Sequence, residues 1–175
     1  MKQAVSIILL LLVAGIFAGC QPVPPASIKA QLVPIGPPTV EDFTDAGEEC
    51  LVHVVLSPKV EGNLQGTVDT DYRIVVLHPC DTTPPGTYEE IHALTGKFMG
   101  TLDGKDGTFE FFGSGKSVKG DYSAQWAIVP GSGTGSLAGL SGMLGVEGKM
   151  LGGAGTYSIS GNYSMPPVAR YTLNG

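Results

Sequence analysis

The sequence predicts an all-β domain, a sandwich or barrel of short antiparallel strands, and three observations carry that prediction. The first is a period of two. Tyr122, Ala124, Trp126 and Ile128 alternate with Asp121, Ser123 and Gln125, and Tyr157, Ile159 and Tyr163 alternate with Thr156, Ser158, Ser160 and Asn162. Phe109 and Phe111 flank Glu110 in the same way. Such alternation buries one face of a strand and wets the other. The second is turn chemistry at Asp103-Gly104-Lys105-Asp106-Gly107, Gly113-Ser114-Gly115-Lys116, Pro130-Gly131-Ser132-Gly133 and Leu151-Gly152-Gly153, with the punctuation expected between short strands. The third is composition. The chain has 26 Gly and 13 Pro in 175 residues, yet 42% of it is apolar, too much for a disordered chain. No segment beyond the N-terminus carries a helical 3.6-residue stripe. Closure into a barrel is favoured because an open sheet leaves unpaired edges.

The chain begins with a different signal. Lys2 precedes Val5 to Ala18, a run of 14 residues that includes Ser6, and Phe17-Ala18-Gly19-Cys20 follows as a small-residue cleavage site. A positive start, a short apolar core and a small-residue cut make a secretory signal peptide; the run is short for a membrane span. A cysteine at the cut resembles a bacterial lipobox, with Phe17 where that motif prefers Leu. The resemblance implies cleavage before Cys20, lipid on Cys20, and an extracytoplasmic protein held to the membrane through that lipid. In a two-membrane bacterium, Gln21 in place of the Asp of inner-membrane retention implies the outer membrane. A plain secretory cut and a retained helix are the competing readings.

Residues 20–38 carry Pro22, Pro24, Pro25, Pro34, Pro37 and Pro38. Proline fixes φ and removes a donor, so this stretch is expected as an extended tether, with a short edge strand over Ile28 to Val33 as the weaker reading. The expected organisation is a signal peptide over 1–19, a lipid-anchored tether over 20–38 and a β-barrel domain over 39–175, long enough for a real core. Lipidation of Cys20 leaves Cys50 and Cys80 as a pair in an oxidising compartment. Cys50 to Leu56 and Tyr72 to His78 are β-rich runs around a turn at Gly62-Asn63-Leu64-Gln65-Gly66. Folding about Gln65 sets residue 50 opposite residue 80, so a disulfide is expected, contributing about 3–4 kcal/mol; two buried thiols are the alternative.

Gly100-Thr101-Leu102-Asp103-Gly104-Lys105-Asp106-Gly107-Thr108-Phe109, followed by Trp126-Ala127-Ile128-Val129-Pro130-Gly131-Ser132-Gly133-Thr134-Gly135-Ser136-Leu137-Ala138-Gly139-Leu140-Ser141-Gly142, resembles the small bacterial family DUF3224, a domain of unknown function. That family is similar to the allene oxide cyclase and dirigent barrels, and the resemblance implies a single antiparallel barrel of about eight strands. It covers Thr95 to Tyr163 well; residues 40 to 90 match by strand character alone. Relatives resemble one another in an acidic-basic pair before the first turn and a Gln-His pair beyond it. This chain has Gly96-Lys97 and Phe112-Gly113 there, so no catalytic residue carries over. The glycine run is expected to bend a barrel corner, with Leu137 and Leu140 plugging the end beneath it. A phosphate cradle would require a helix after Gly135, and none is patterned there.

Candidate chemistry is sparse. His53 and His78 lack a third metal ligand, so neither a metal nor a cofactor is expected. Alternation places His92 on one strand face with Leu94, Phe98 and Leu102, with Glu90 nearby. His92, Phe98, Phe109, Phe111, Tyr122, Trp126, Tyr157 and Tyr163 are expected to line or fill the interior. The net charge is −6, or −7 once Lys2 is removed with the signal; no basic stripe is present, which excludes a nucleic-acid partner. Two functions remain. The first is a non-catalytic envelope lipoprotein whose barrel binds a small apolar molecule or a protein partner. The second is an isomerase or cyclase acting in a closed cavity, which requires polar groups inside the barrel.

Overall fold

The structure, a computed structural model, describes residues 26–33, 38–80, 87–151 and 154–166. The signal segment, Cys20 and the start of the tether lie outside the described residues. The strands are β1 (Ala26–Val33), β2 (Thr39–Asp45), β3 (Cys50–Leu56), β4 (Lys59–Gly62), β5 (Leu64–Val76), β6 (Glu89–Leu102), β7 (Lys105–Val118), β8 (Asp121–Ile128), β9 (Ser141–Leu151) and β10 (Ala154–Ser164). Among the described residues a single 3₁₀ turn spans Gly135–Leu137. All strand pairs are antiparallel. Eight strands close a ring, β1-β4-β5-β6-β7-β8-β9-β10 and back to β1, while β3 and β2 extend the sheet from the upper half of β5.

Three sequence expectations need correction. β1 lies within the segment expected as tether, and it pairs with β10 on one side and β4 on the other. Prolines flank it but none falls within it, so Ile28, Ala30 and Leu32 alternate inward without a missing donor. The barrel therefore starts at Ala26, not near residue 39. Gly113 to Lys116 is not a turn but the middle of β7; the turn is at Lys119-Gly120, where both residues have positive φ (50° and 85°), as a tight two-residue hairpin requires. The register around the first hairpin is also displaced. Cys50 faces Val76 and Val60 faces Gly66, so the fold axis is Asn63. Cys80 instead returns past the end of β5 to form the disulfide with Cys50.

Inward positions alternate cleanly along β6, where Glu90, His92, Leu94, Phe98 and Leu102 are buried. The lower half of the barrel is solid. Phe98 stacks on Phe109 at 4.8 Å and Phe111 on Trp126 at 4.6 Å between ring centroids. Two glycines make room for these rings: Gly96 lies opposite Phe111 and Gly113 opposite Trp126, and a methyl group at either position would overlap the ring across from it. Leu137 and Leu140, both fully buried, plug the lower end. Their loop is stapled to β7 by the Thr108 and Thr134 hydroxyls, 2.8 Å apart, and by Ser132, whose Oγ accepts from the Glu110 N–H at 3.0 Å.

Candidate functional site

The upper end of the barrel is built from the same alternation but different residue types. β6 sends Glu90 and His92 inward, β5 sends Thr70 and Tyr72, β8 sends Tyr122, and β7 sends Ser117 near its end; all six are buried. Tyr157 of β10 is half-buried beside them. The His92 ring stacks on Tyr122 with centroids 5.0 Å apart and meets the edge of Tyr72 at 5.5 Å. The Tyr72 and Tyr122 hydroxyls are 3.3 Å apart, and Tyr157 stands edge-on to Tyr122 at 5.1 Å.

Two features set this cluster apart from ordinary core. The His92 side chain is 0% exposed, with Glu90 Oε1 3.9 Å from its Nδ1, and neither ring nitrogen has a hydrogen-bond partner among the described residues. Ser117 Oγ also lacks a partner among the described residues, as does Nε1 of Trp126 in the lower barrel, but only His92 has two such atoms in one ring. Buried polar atoms are normally paired, since an unmade bond costs about 1–3 kcal/mol. Burial also moves the charges. It raises the Glu90 carboxyl from 4.5 to about 7 and lowers His92 from 6.5 to about 4. Burial pushes Tyr72 up to about 12, and Tyr122 upward as well. At neutral pH this end holds a neutral imidazole beside a carboxyl poised between its two forms.

The sequence-predicted interior residues therefore separate into two groups. Phe98, Phe109, Phe111 and Trp126 fill the lower barrel. His92, Tyr122 and Tyr157 join Glu90, Tyr72 and Ser117 in the upper cluster. Tyr163 belongs to neither; it sits at the lower rim, donating to Asp103 Oδ2 at 2.6 Å. Polar side chains therefore do lie inside the barrel, gathered at its upper end. Tyr72 escaped sequence reading because Ile74-Val75-Val76 blurs the alternation of its strand. Arg73 faces outward and pairs with Asp71 at 3.4 Å. His53 does the same at 3.0 Å, and among the described residues no group of three metal-ligating side chains forms. Two shallow depressions, about 690 and 600 Å³, lie on the outer wall, one over Arg73, Ile91 and Lys116, the other over Asp69, Lys97 and Phe112.

A closed eight-stranded antiparallel barrel with a solid lower half and a buried acid-histidine-tyrosine cluster above defines the class. Residues 38–160 match the family described as "Protein of unknown function (DUF3224)", and the chain belongs to that family. A crystal structure described as a protein with unknown function from the DUF3224 family from Shewanella oneidensis MR-1 has the same fold: TM-score 0.55 at 18% identity, covering 82% of this chain and 98% of that one. No functionally curated protein matches the chain.

Proposed function

We propose that this protein is an envelope-tethered lipoprotein whose barrel is non-catalytic and binds a small, largely apolar molecule at its upper end. The tether reading rests on the signal-like N-terminus and Cys20. The binding reading rests on one observation: a fully buried histidine with both ring nitrogens unpartnered, walled by Tyr72 and Tyr122 and adjoining Glu90. A few convergent polar groups in apolar surroundings are what a small-molecule site requires. Native mass spectrometry of protein purified from its own envelope tests it. A retained small molecule that is absent from His92→Phe is the expected result. If nothing copurifies and no compound of a hydrophobic library shifts melting, the binding reading fails. Radiolabelled palmitate should label the wild type and not Cys20→Ser; an unlabelled wild type removes the anchor.

A second reading is favoured by the same pair. A carboxyl protonated near pH 7 is a general acid and a neutral imidazole is a general base, the equipment of an isomerase or cyclase. Recovery of the copurified molecule in two isomeric forms, with one form only in Glu90→Gln, would favour that reading over simple binding.

A further inference from the structure

The upper barrel has an inner wall that no described residue covers. β2 pairs with β3 so that Val40 faces Val54 and Phe43 faces Val52. Val54 is buried barrel lining, and directly opposed residues share a face, so Val40 and Phe43 belong to the inward surface. The register shift between Val40 and Asp42 is what lets two residues three apart face the same way. Inward apolar residues should be buried, yet Val40 is 55% and Phe43 66% exposed. The reason is topological. The ring is sealed by β1 against β10 only as far as Leu32 opposite Tyr157. Beyond that level β2 pairs with β3 alone, so no described strand covers the inner face of β2.

Charge narrows what this mouth would accept. The titratable groups on its inward face are Glu90, His92, Tyr72, Tyr122 and Tyr157, with Asp45 at the rim opposite Cys50. The cations of the surrounding strands, Arg73, Lys97, Lys116 and Lys149, occupy exposed outward positions. Glu90 lies near enough to Tyr72, Tyr88 and Tyr157 to oppose the ionisation of each. A carboxyl among tyrosines, with an apolar strand leading to it, the strand cations on the outer wall and Lys119 in the exposed β7–β8 turn, matches an organic cation. Aromatic faces attract ammonium groups, more strongly when both are desolvated. An anionic head would meet Glu90 and Asp45 without a counter-charge.

We propose that the upper end takes an amphipathic organic cation, an alkyl amine or quaternary ammonium. Its head lies against Glu90 and the tyrosines Tyr72 and Tyr157, and its tail lies on Val40, Phe43 and Val52. This rests on the small-molecule reading above and adds the ligand's charge and orientation.

Calorimetric titration of the mature protein with octyltrimethylammonium, octanol and octanoate tests it. The cation should bind about ten-fold tighter than octanol, with octanoate weakest. Glu90→Gln should bring the cation down to the level of octanol while leaving octanol unchanged. Phe43→Ala, at an exposed position, should weaken the cation and octanol by similar factors. If octanol or octanoate binds as well as the cation and His92→Phe abolishes that binding, the small-molecule site stands and its cationic class is wrong. If none of the three binds and the hydrophobic library is also silent, both fail.

Discussion

The lower and upper ends of this barrel are cut from the same eight strands, yet they differ in what their inward positions carry. Below, β6 and β7 supply Phe98, Phe109 and Phe111, with glycines opposite the rings of Phe111 and Trp126. The rings stack in pairs, the buried Trp126 Nε1 alone among their atoms being a polar group without a partner among the described residues, and the rim is tied by hydrogen bonds. The Asn63 side-chain amide donates to the Ser27 carbonyl at 2.8 Å and to Asp103 Oδ1 at 3.1 Å, and Asp103 in turn accepts from Tyr163. Above, the same two strands supply Glu90, His92 and Ser117, whose polar atoms are buried and in part unpartnered. The lower end is arranged for stability, and the upper end carries a cost in stability, as binding sites commonly do. One sheet can do both because alternation fixes only which residues point inward, not whether they fill the space.

The largest test of that contrast is to empty the lower end. Trp126→Ala should cost about 4 kcal/mol, read by urea denaturation, because the indole is 1% exposed and stacked on Phe111. Gly113→Val should also destabilise, since the added side chain meets the indole directly. Losses below about 1 kcal/mol for Trp126→Ala would mean that the lower barrel is not the rigid half.

How much of this was legible follows from where the pattern is local. The inward face of β6 reads directly from the spacing of His92, Leu94, Phe98 and Leu102. Asp103-Gly104 announces its hairpin, with φ of 49° and 74°, and Leu137 and Leu140 fall under the glycine loop as expected. What is not local is hidden. Gly113 and Gly115 read as a turn because glycine breaks strands in most contexts. Only the residues opposite them, Trp126 and Ala124, show that they are clearance for side chains. β1 is hidden because the prolines on both sides dominate the reading of its segment. The upper cluster joins β5, β6, β7, β8 and β10, and pairings that span so much sequence cannot be read from any one strand. His92 and Glu90 were visible as a pair, but their burial among three tyrosines was not.

Acidity sharpens the contrast at the upper end. Glu90 has a folded pKa raised above its unfolded value, so its contribution is complete below pH 4.5 and lost as pH rises through about 7. His92 has a lowered folded pKa, so its contribution is complete above pH 6.5 and lost as pH falls through about 4. Between pH 4.5 and 6.5 the two slopes have opposite signs and offset each other. Across that window Glu90→Gln should gain stability relative to wild type as pH rises, and His92→Phe should lose it, each by about 3 kcal/mol. Denaturant midpoints at four pH values measure this. The lower-end variant Trp126→Ala should run parallel to wild type. Parallel curves for all four proteins would show that Glu90 and His92 are solvated in solution.

The smallest effect has the most telling sign. At pH 7.5 His92 is neutral in both folded and unfolded chains, so His92→Phe removes two unpartnered ring nitrogens and keeps an aromatic ring against Tyr122. The variant should be about 1 kcal/mol more stable than wild type while losing the copurified ligand. Phe109→Leu, a trim of an apolar ring at the lower end, should instead destabilise, because it removes packed atoms stacked on Phe98 and involves no polar atom. Opposite signs for these two replacements within one barrel would locate the molecule's functional burden at the upper end. A destabilised His92→Phe would mean that the imidazole already has its partner in the free protein, and the case for a ligand there would lose its main support.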